Sequence, residues 1–301
     1  MLDTVTGAQT ETDSSSVGQA RMHSSCPICA GTALKHLWQV NGYSIARCQN
    51  CSLVFVENIV TPEELNAHYS AWDTSYADDN TDCLTYYYEI LRSLIESRYP
   101  QRGKILDVGC SAGQFLEVMK GWECHGNEIS PPFATIAQQR FGDSIVTGLF
   151  EDYPLQEEYF DVITLQDVFD HLRDPIAVLN KCNSMLKPGG LIVIKVHNIS
   201  CLYAKVMGSG FYAVMPPTHL FYYDKGTLEL ALGKTGFQMV DSRFIAHLLR
   251  IRIICYRLAS GNRQSLFFRL SRWLEGRWLG EAKIKKNLHD IITVMAVKNP
   301  A

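Results

Sequence analysis

Residues 104–113 constrain the fold of this chain more tightly than any other stretch. Ile105-Leu106-Asp107-Val108 is a short apolar strand carrying one carboxylate, Gly109 and Gly113 bracket a tight turn, and Gln114 to Lys120 reads as a helix. Glycines at such a turn let the backbone approach a ligand closely, and the N-terminus of the following helix favours negative groups. From there the pattern alternates. Strands are predicted near 104–108, 123–128, 144–147, 160–165, 191–196, 237–243 and 291–298, with helices between most of them. One helix is signalled at both ends: Asp174 caps it, Pro175 opens it and Lys187-Pro188-Gly189-Gly190 stops it. Strands that alternate with helices predict an α/β, doubly wound sheet.

Three chemistries compete for the turn. A dinucleotide fingerprint needs a second glycine where Ser111 stands. Gly109-Cys110-Ser111-Ala112-Gly113 matches the Gly-x-Ser-x-Gly elbow of hydrolases, but that elbow follows several strands, whereas the strand at 105 is the first of its region. The third reading is a resemblance. Asp107, Gly109 and Gly113 fit the Asp-x-Gly-x-x-x-Gly motif that follows the first strand of class I S-adenosylmethionine-dependent methyltransferases. The likeness runs on through residues 103–245. Glu128 ends the second strand, where an acid can accept both ribose hydroxyls. Leu149-Phe150-Glu151-Asp152 looks like the adenine-side loop, Phe160 to Leu172 resembles the fourth-strand motif, and Leu186-Lys187-Pro188-Gly189-Gly190 resembles the turn before strand five. The resemblance implies a Rossmann-like seven-stranded sheet with the strand at 291–298 as its antiparallel member. It implies S-adenosylmethionine as cofactor, held by Asp107, Gly109, Cys110, Gly113, Glu128, Asp152 and Gln166.

Methyl transfer from a sulfonium is an in-line displacement, so such an enzyme mainly aligns the acceptor and sometimes removes its proton. His171 follows strand four and is a candidate base or a loop-fixing residue. Asp167, Asp170 and His171 are similar to acid-acid-His positions that bind a divalent metal in quinone-biosynthesis O-methyltransferases, with Asp here where those have Glu. Pro216-Pro217-Thr218-His219-Leu220-Phe221-Tyr222 resembles a Pro-x-His-Leu-x-x-Phe segment of methyltransferases from sugar and polysaccharide pathways. That likeness makes His219 and Tyr222 candidates for catalysis or acceptor binding, a turn-fixing role being the alternative. Tyr69, Trp72, Tyr76 and Tyr86 to Tyr88 suit either an aromatic lid or a packed helical hairpin.

The N-terminal part carries its own signal. Cys26-Pro27-Ile28-Cys29 and Cys48-Gln49-Asn50-Cys51 are two Cys-x-x-Cys pairs separated by eighteen residues. Two such pairs predict a closed four-thiolate, structural zinc site; a redox dithiol would need only one of them. A zinc ribbon before a methyltransferase domain resembles two groups, sugar C-methyltransferases and one kind of ribosomal RNA guanine methyltransferase. The RNA group should carry a basic ribbon, yet residues 23–60 hold two Lys or Arg and one Glu.

These signals divide the chain into a disordered tail (1–21), a zinc ribbon (22–58), a helical lid or linker (59–102) opened by Thr61 and Pro62, and a methyltransferase domain (103–301) with a basic helical insertion at 246–287 before its last strand. Hydrophobic residues make up 47% of the chain, enough for a substantial core. Net charge is −3, yet residues 247–288 hold ten Lys or Arg against two Glu. Arg-rich helices with Trp and Phe suit peripheral contact with an anionic membrane, or simply a solvated insert. No apolar run reaches the ~20 residues that span a bilayer, and the Ser/Thr-rich start lacks the features of a secretory signal. The six remaining cysteines are scattered, as in a reduced cytoplasmic enzyme. The sequence thus predicts methyl transfer from S-adenosylmethionine to a small-molecule acceptor, a sugar or saccharide intermediate. The alternatives are an RNA methyltransferase that uses the ribbon and the insertion, and a non-catalytic cofactor-binding scaffold.

Overall fold

The structure, a computed structural model, describes residues 21–65, 81–258 and 264–300. The tail to residue 20 and the aromatics Tyr69, Trp72 and Tyr76 lie outside the described residues.

The chain begins with three antiparallel strands, β1 (Leu34–Val40), β2 (Tyr43–Cys48) and β3 (Val54–Val56). The main sheet is built from β4 (Lys104–Val108), β5 (Glu123–Glu128), β6 (Ile145–Thr147), β7 (Phe160–Gln166), β8 (Leu186–His197), β10 (Phe237–Arg243) and β13 (Ile291–Lys298). Its order is β10-β13-β8-β7-β4-β5-β6. The five strands from β6 to β8 run parallel, and β13 inserts antiparallel between β8 and β10. This is the seven-stranded Rossmann-like sheet expected. Strand order reverses beside β4, which places a crevice at the carboxyl ends of β4 and β7. The fifth strand starts earlier than 191: Leu186 pairs with Phe160, then residues 187–190 loop out and Leu191 pairs with Val162. Gly189, at φ +72°, permits that excursion.

Alternation along the strands sorts side chains onto two faces. Leu106, Val108, Ile163, Leu165, Ile192, Ile194 and Val294 face one way, against α4 (Pro175–Met185) and α6 (Lys225–Lys234). As the sequence predicts, Asp174 caps α4: its Oδ1 accepts from the Ala177 amide at 2.9 Å. Ile105, Val162, Leu191, Val193 and Met295 face the other way, against α1 (Thr81–Arg98) and α2 (Gln114–Val118). Helix α1 puts Cys83, Tyr87, Leu91 and Ile95 on one buried stripe at a spacing of four. Full burial of such a side chain contributes roughly 1.5–3 kcal/mol. At least this part of the predicted lid segment is therefore core, because its apolar stripe is continuous with the sheet. Helix α3 (Pro131–Phe141) completes the crossover from β5 to β6.

The remaining elements surround the crevice. Helix α5 (Leu202–Met207) and β9 (Phe221–Tyr222) lie in the connection after β8. Strand β9 pairs with β3, so a strand from beyond the main sheet's fifth strand completes the N-terminal sheet. The insertion is not purely helical as the sequence suggested. It opens and closes with β11 (His247–Arg250) and β12 (Lys283–Lys286), paired antiparallel. Between them stand α7 (Ile251–Leu258), α8 (Leu266–Leu274) and α9 (Trp278–Glu281). Phe267, Leu270, Trp273 and Trp278 recur at roughly helical spacing in the middle of the insert, whereas its short ends gain strand structure by pairing with each other.

Candidate active site

A cavity of about 910 Å³ opens at the carboxyl ends of the parallel strands. The loop after β4 forms its floor. Gly109 sits at φ +71°, and a Cβ there would lie 2.3 Å from Val168 Cγ2, so only glycine fits. The amides of Gly109 and Cys110 both donate to Asn127 O, at 2.8 and 3.0 Å, which locks the loop to β5. Gly113, at φ +83°, ends the turn and precedes α2.

Two buried carboxylates flank this loop. Asp107 is 3% exposed and accepts from Thr164 Oγ1 at 2.5 Å and Gln166 Nε2 at 3.4 Å. Burial pushes its carboxyl up to about 7, and the nearby Glu128 charge adds to the rise. Glu128 accepts the Ser111 amide on one oxygen and the Ser130 amide on the other, each at 2.8 Å. Burial raises its pKa, while these amides oppose the rise. Gln166 Oε1 and Ser130 Oγ are buried beside the cavity without hydrogen-bond partners among the described residues. Buried polar atoms of this kind are ordinarily satisfied by something. Cys110 lines the floor with its thiol pushed well up by burial.

Another part of the cavity wall is built from histidines. Strand β8 alternates Leu191, Val193, Lys195 and His197 onto one side, and the last two reach the cavity wall. Lys195 Nζ donates to Asp167 Oδ2 at 2.6 Å and lies 4.5 Å over the Tyr87 ring. His171 lines the wall, and burial pushes its imidazole down to about 4. Asp170 is 2% exposed and ringed by imidazoles. His197 Nδ1 stands 3.4 Å from one oxygen and His171 Nε2 3.7 Å from the other. Burial would raise the Asp170 carboxyl, but His171, His197 and His219 outweigh it and hold it well below the usual range.

His219 does not line the cavity. It is buried behind the wall, 4.7 Å from the His171 ring and 4.9 Å from the His197 ring. Tyr222 is also off the wall; its hydroxyl donates to the His219 carbonyl at 3.0 Å and so braces the loop. Asp152 is exposed and away from the cavity, while its neighbour Glu151 lines it and pairs with Arg173 at 3.3 Å. The structure thus brings Asp107, Gly109, Cys110, Glu128, Gln166 and His171 to one cavity. Lys195, His197 and His247 join them from outside the set predicted from sequence. The first two were legible as alternate positions at the end of strand five, had that strand been extended to 197. His247 belongs to the insertion, stacks on Tyr87 with ring centroids 4.9 Å apart, and carried no sequence signal.

The four N-terminal cysteines form a second site. Their sulfurs all lie within 4.8 Å of one another, with Cys26–Cys51 at 3.5 Å and Cys29–Cys48 at 3.4 Å. Both turns are built alike: Ala30, after Cys29, and Ser52, after Cys51, have φ of +60° and +68°. A tetrahedral ion ~2.3 Å from each sulfur needs edges of roughly 3.8 Å, close to these spacings. The donor set therefore fits zinc.

Fold and cavity together define a class, the Rossmann-like α/β proteins with a ligand-sized cavity at the carboxyl ends of the parallel strands. A family profile described as "Methyltransferase domain" matches residues 84–242, more than half of the chain, and the chain belongs to that family. It is similar to a ubiquinone biosynthesis O-methyltransferase of Xanthomonas axonopodis pv. citri (strain 306), 28% identical over 159 residues, covering 47% of this chain and 65% of the relative. It is also similar to that of Cereibacter sphaeroides (strain ATCC 17025 / ATH 2.4.3), 34% identical over 102 residues, covering 32% of this chain and 41% of the relative. The chain thus spans less than two thirds of these relatives' length. Among solved structures, the fold matches a chain from the complex between the Haloferax volcanii Trm112 methyltransferase activator and a methyltransferase. The TM-score is 0.51 at 16% identity, covering 80% of this chain and 100% of that one. A Galdieria sulphuraria chain described as a sarcosine dimethylglycine methyltransferase matches with TM-score 0.50 at 16% identity, covering 77% of this chain and 92% of that one.

Proposed function

We propose that this protein transfers a methyl group from S-adenosylmethionine to a small-molecule acceptor. The observation that carries the reading is the pair of buried carboxylates, Asp107 and Glu128, on either side of a glycine turn that no larger residue fits. Glu128 keeps lone pairs free for two ribose hydroxyls after accepting one amide on each oxygen. Asp107 and Gln166 suit the ligand's ammonium end, and Gly109 gives its backbone room. The segment 149–151 suits the adenine side; Glu151 takes the place foreseen for Asp152. Bound there, the cofactor would supply an electrophilic methyl group to an acceptor lone pair.

The protein's task is then to hold the acceptor in line. His171 and His197 present imidazoles to it, and an imidazole of this cluster takes the proton that the acceptor loses. His219 supports them from behind, and Tyr222 fixes the His219 loop. Beyond the histidines the wall carries Tyr212, Lys286, Asn287 and Asp290. A wall so rich in hydrogen-bonding groups favours a hydroxyl-bearing acceptor, and we take a sugar or saccharide intermediate as the substrate class. The near-neutral ribbon gives RNA no electrostatic footing there. The four cysteines hold a structural zinc ion with no open position. Incubation with methyl-labelled cofactor tests the acceptor: label should enter nucleotide-sugar or lipid-linked saccharide pools. Label in RNA alone would overturn that class.

A further inference from the structure

We propose that Asp170, His197 and His219 form a second metal site, distinct from the four cysteines, that holds a divalent transition-metal ion at the acceptor end of the cavity. The residues come from three separate segments: the loop after β7, the end of β8 and the loop before β9. One donor atom from each lies within 4.8 Å of the other two.

Three further observations fit ligation. First, His219 Nδ1 lies 2.6 Å from the Ala213 carbonyl. A carbonyl only accepts, so Nδ1 carries the proton and Nε2 presents its lone pair. Ligating imidazoles are commonly fixed in this way by a backbone carbonyl. Second, Asp170 is 2% exposed, and its Oδ1 has no hydrogen-bond partner among the described residues, only His171 Nε2 at 3.7 Å. Third, the 3.4 Å between His197 Nδ1 and Asp170 Oδ2 is long for a charge-assisted hydrogen bond, typically ~2.7–2.9 Å. Two ligands each ~2.1 Å from one ion stand roughly 3.0–3.4 Å apart.

The ligand set is not the one suggested by sequence. Asp167 is occupied by Lys195 at 2.6 Å, and two histidines distant in sequence take the place of Asp167 and His171. Two imidazoles and one carboxylate suit Zn²⁺, Fe²⁺ or Mn²⁺. His197 faces the cavity while Asp170 and His219 stand behind it. The remaining coordination positions therefore open toward the acceptor, where an ion would ligate a hydroxyl or enolate oxygen. That last role rests on the methyltransferase reading; metal binding itself does not.

The test uses the full chain with its thiolate site loaded with zinc. Mn²⁺ is titrated in and free Mn²⁺ is followed by electron paramagnetic resonance, with cofactor binding measured separately on the same samples. One Mn²⁺ should bind per chain. His197→Gln, on the cavity wall, and His219→Gln should each weaken binding about tenfold or more. Zinc content and the circular dichroism spectrum should stay unchanged, and His171→Gln should leave Mn²⁺ affinity within about threefold, well short of the loss of a ligand. Absence of Mn²⁺ binding, or binding lost with Asp167→Asn or His171→Gln yet kept in His197→Gln, would overturn the assignment. Failure of the wild-type chain to bind S-adenosylmethionine would count against the proposed function and not against this site.

Discussion

Asp107 shows how one residue can couple folding, pH and ligand. Its carboxyl sits at about 7, raised by burial from an unfolded value of roughly 3.9. The folded chain therefore holds this proton more tightly than the unfolded one, so its contribution to stability falls as pH rises from about 4 to 7. A cationic ligand group reverses the preference and favours the carboxylate. Affinity for S-adenosylmethionine should then rise by up to about tenfold per unit from pH 5.5 to 7, below the range where an amino group itself titrates. Calorimetry at several pH values checks this. Asp107→Asn should weaken binding and flatten the profile; a flat wild-type profile contradicts the role. Gly109 works by shape, since any side chain there meets Val168.

At the scale of elements, two packing relations matter. Leu91 is fully buried in the middle of the α1 stripe, so Leu91→Ala should cost about 2–5 kcal/mol in urea unfolding. A loss under about 1 kcal/mol would mean that α1 is a lid after all. The second relation joins the N-terminal sheet to the site. Val54 and Phe55 of β3 pair with Tyr222 and Phe221 of β9, and the Val56 amide donates to Leu220 O at 2.8 Å. The cysteine turns thereby brace the loop that carries His219. Cys26→Ser should remove about one zinc per chain. It should also speed hydrogen exchange at the Val56 amide and through residues 218–222, while β4 and β5 stay protected. Retained zinc would refute the metal assignment. Local patterns made much of this legible in sequence: the alternation that gives the sheet, the Asp174–Pro175 start of α4, the cysteine pairs and the glycine turn. The β3–β9 pairing was not, because two- and three-residue strands have no periodicity and their partners lie far apart in the chain. The Asp170 cluster was hidden for the same reason: His197 and His219 meet it only through tertiary structure.

The whole molecule places an unevenly charged insert beside its cavity. His247, Leu248, Leu249, Lys286 and Asn287, from the ends of the insertion, form part of the cavity wall. Asp82 of α1 ties down the base of the insert through Arg250 at 2.8 Å and Lys283 at 2.6 Å. Farther out, Leu266, Phe267, Leu270 and Trp273 of α8 are exposed beside Arg269 and Arg272. No helix among the described residues is long and apolar enough to cross a membrane. We propose that this exposed apolar face, fringed with arginine, docks peripherally on an anionic bilayer. The chain should co-sediment with phosphatidylserine-containing vesicles, less so as salt is raised, and Trp273→Glu should abolish the effect. Binding unaltered by that change would place the contact elsewhere. Equilibrium binding of S-adenosylmethionine to the full chain shows whether the cavity is a methyl-donor site. Binding should saturate at one site per chain, be lost in Gly109→Arg and be strongly weakened in Glu128→Ala. No binding by the wild-type chain, or binding indifferent to both substitutions, would contradict that role.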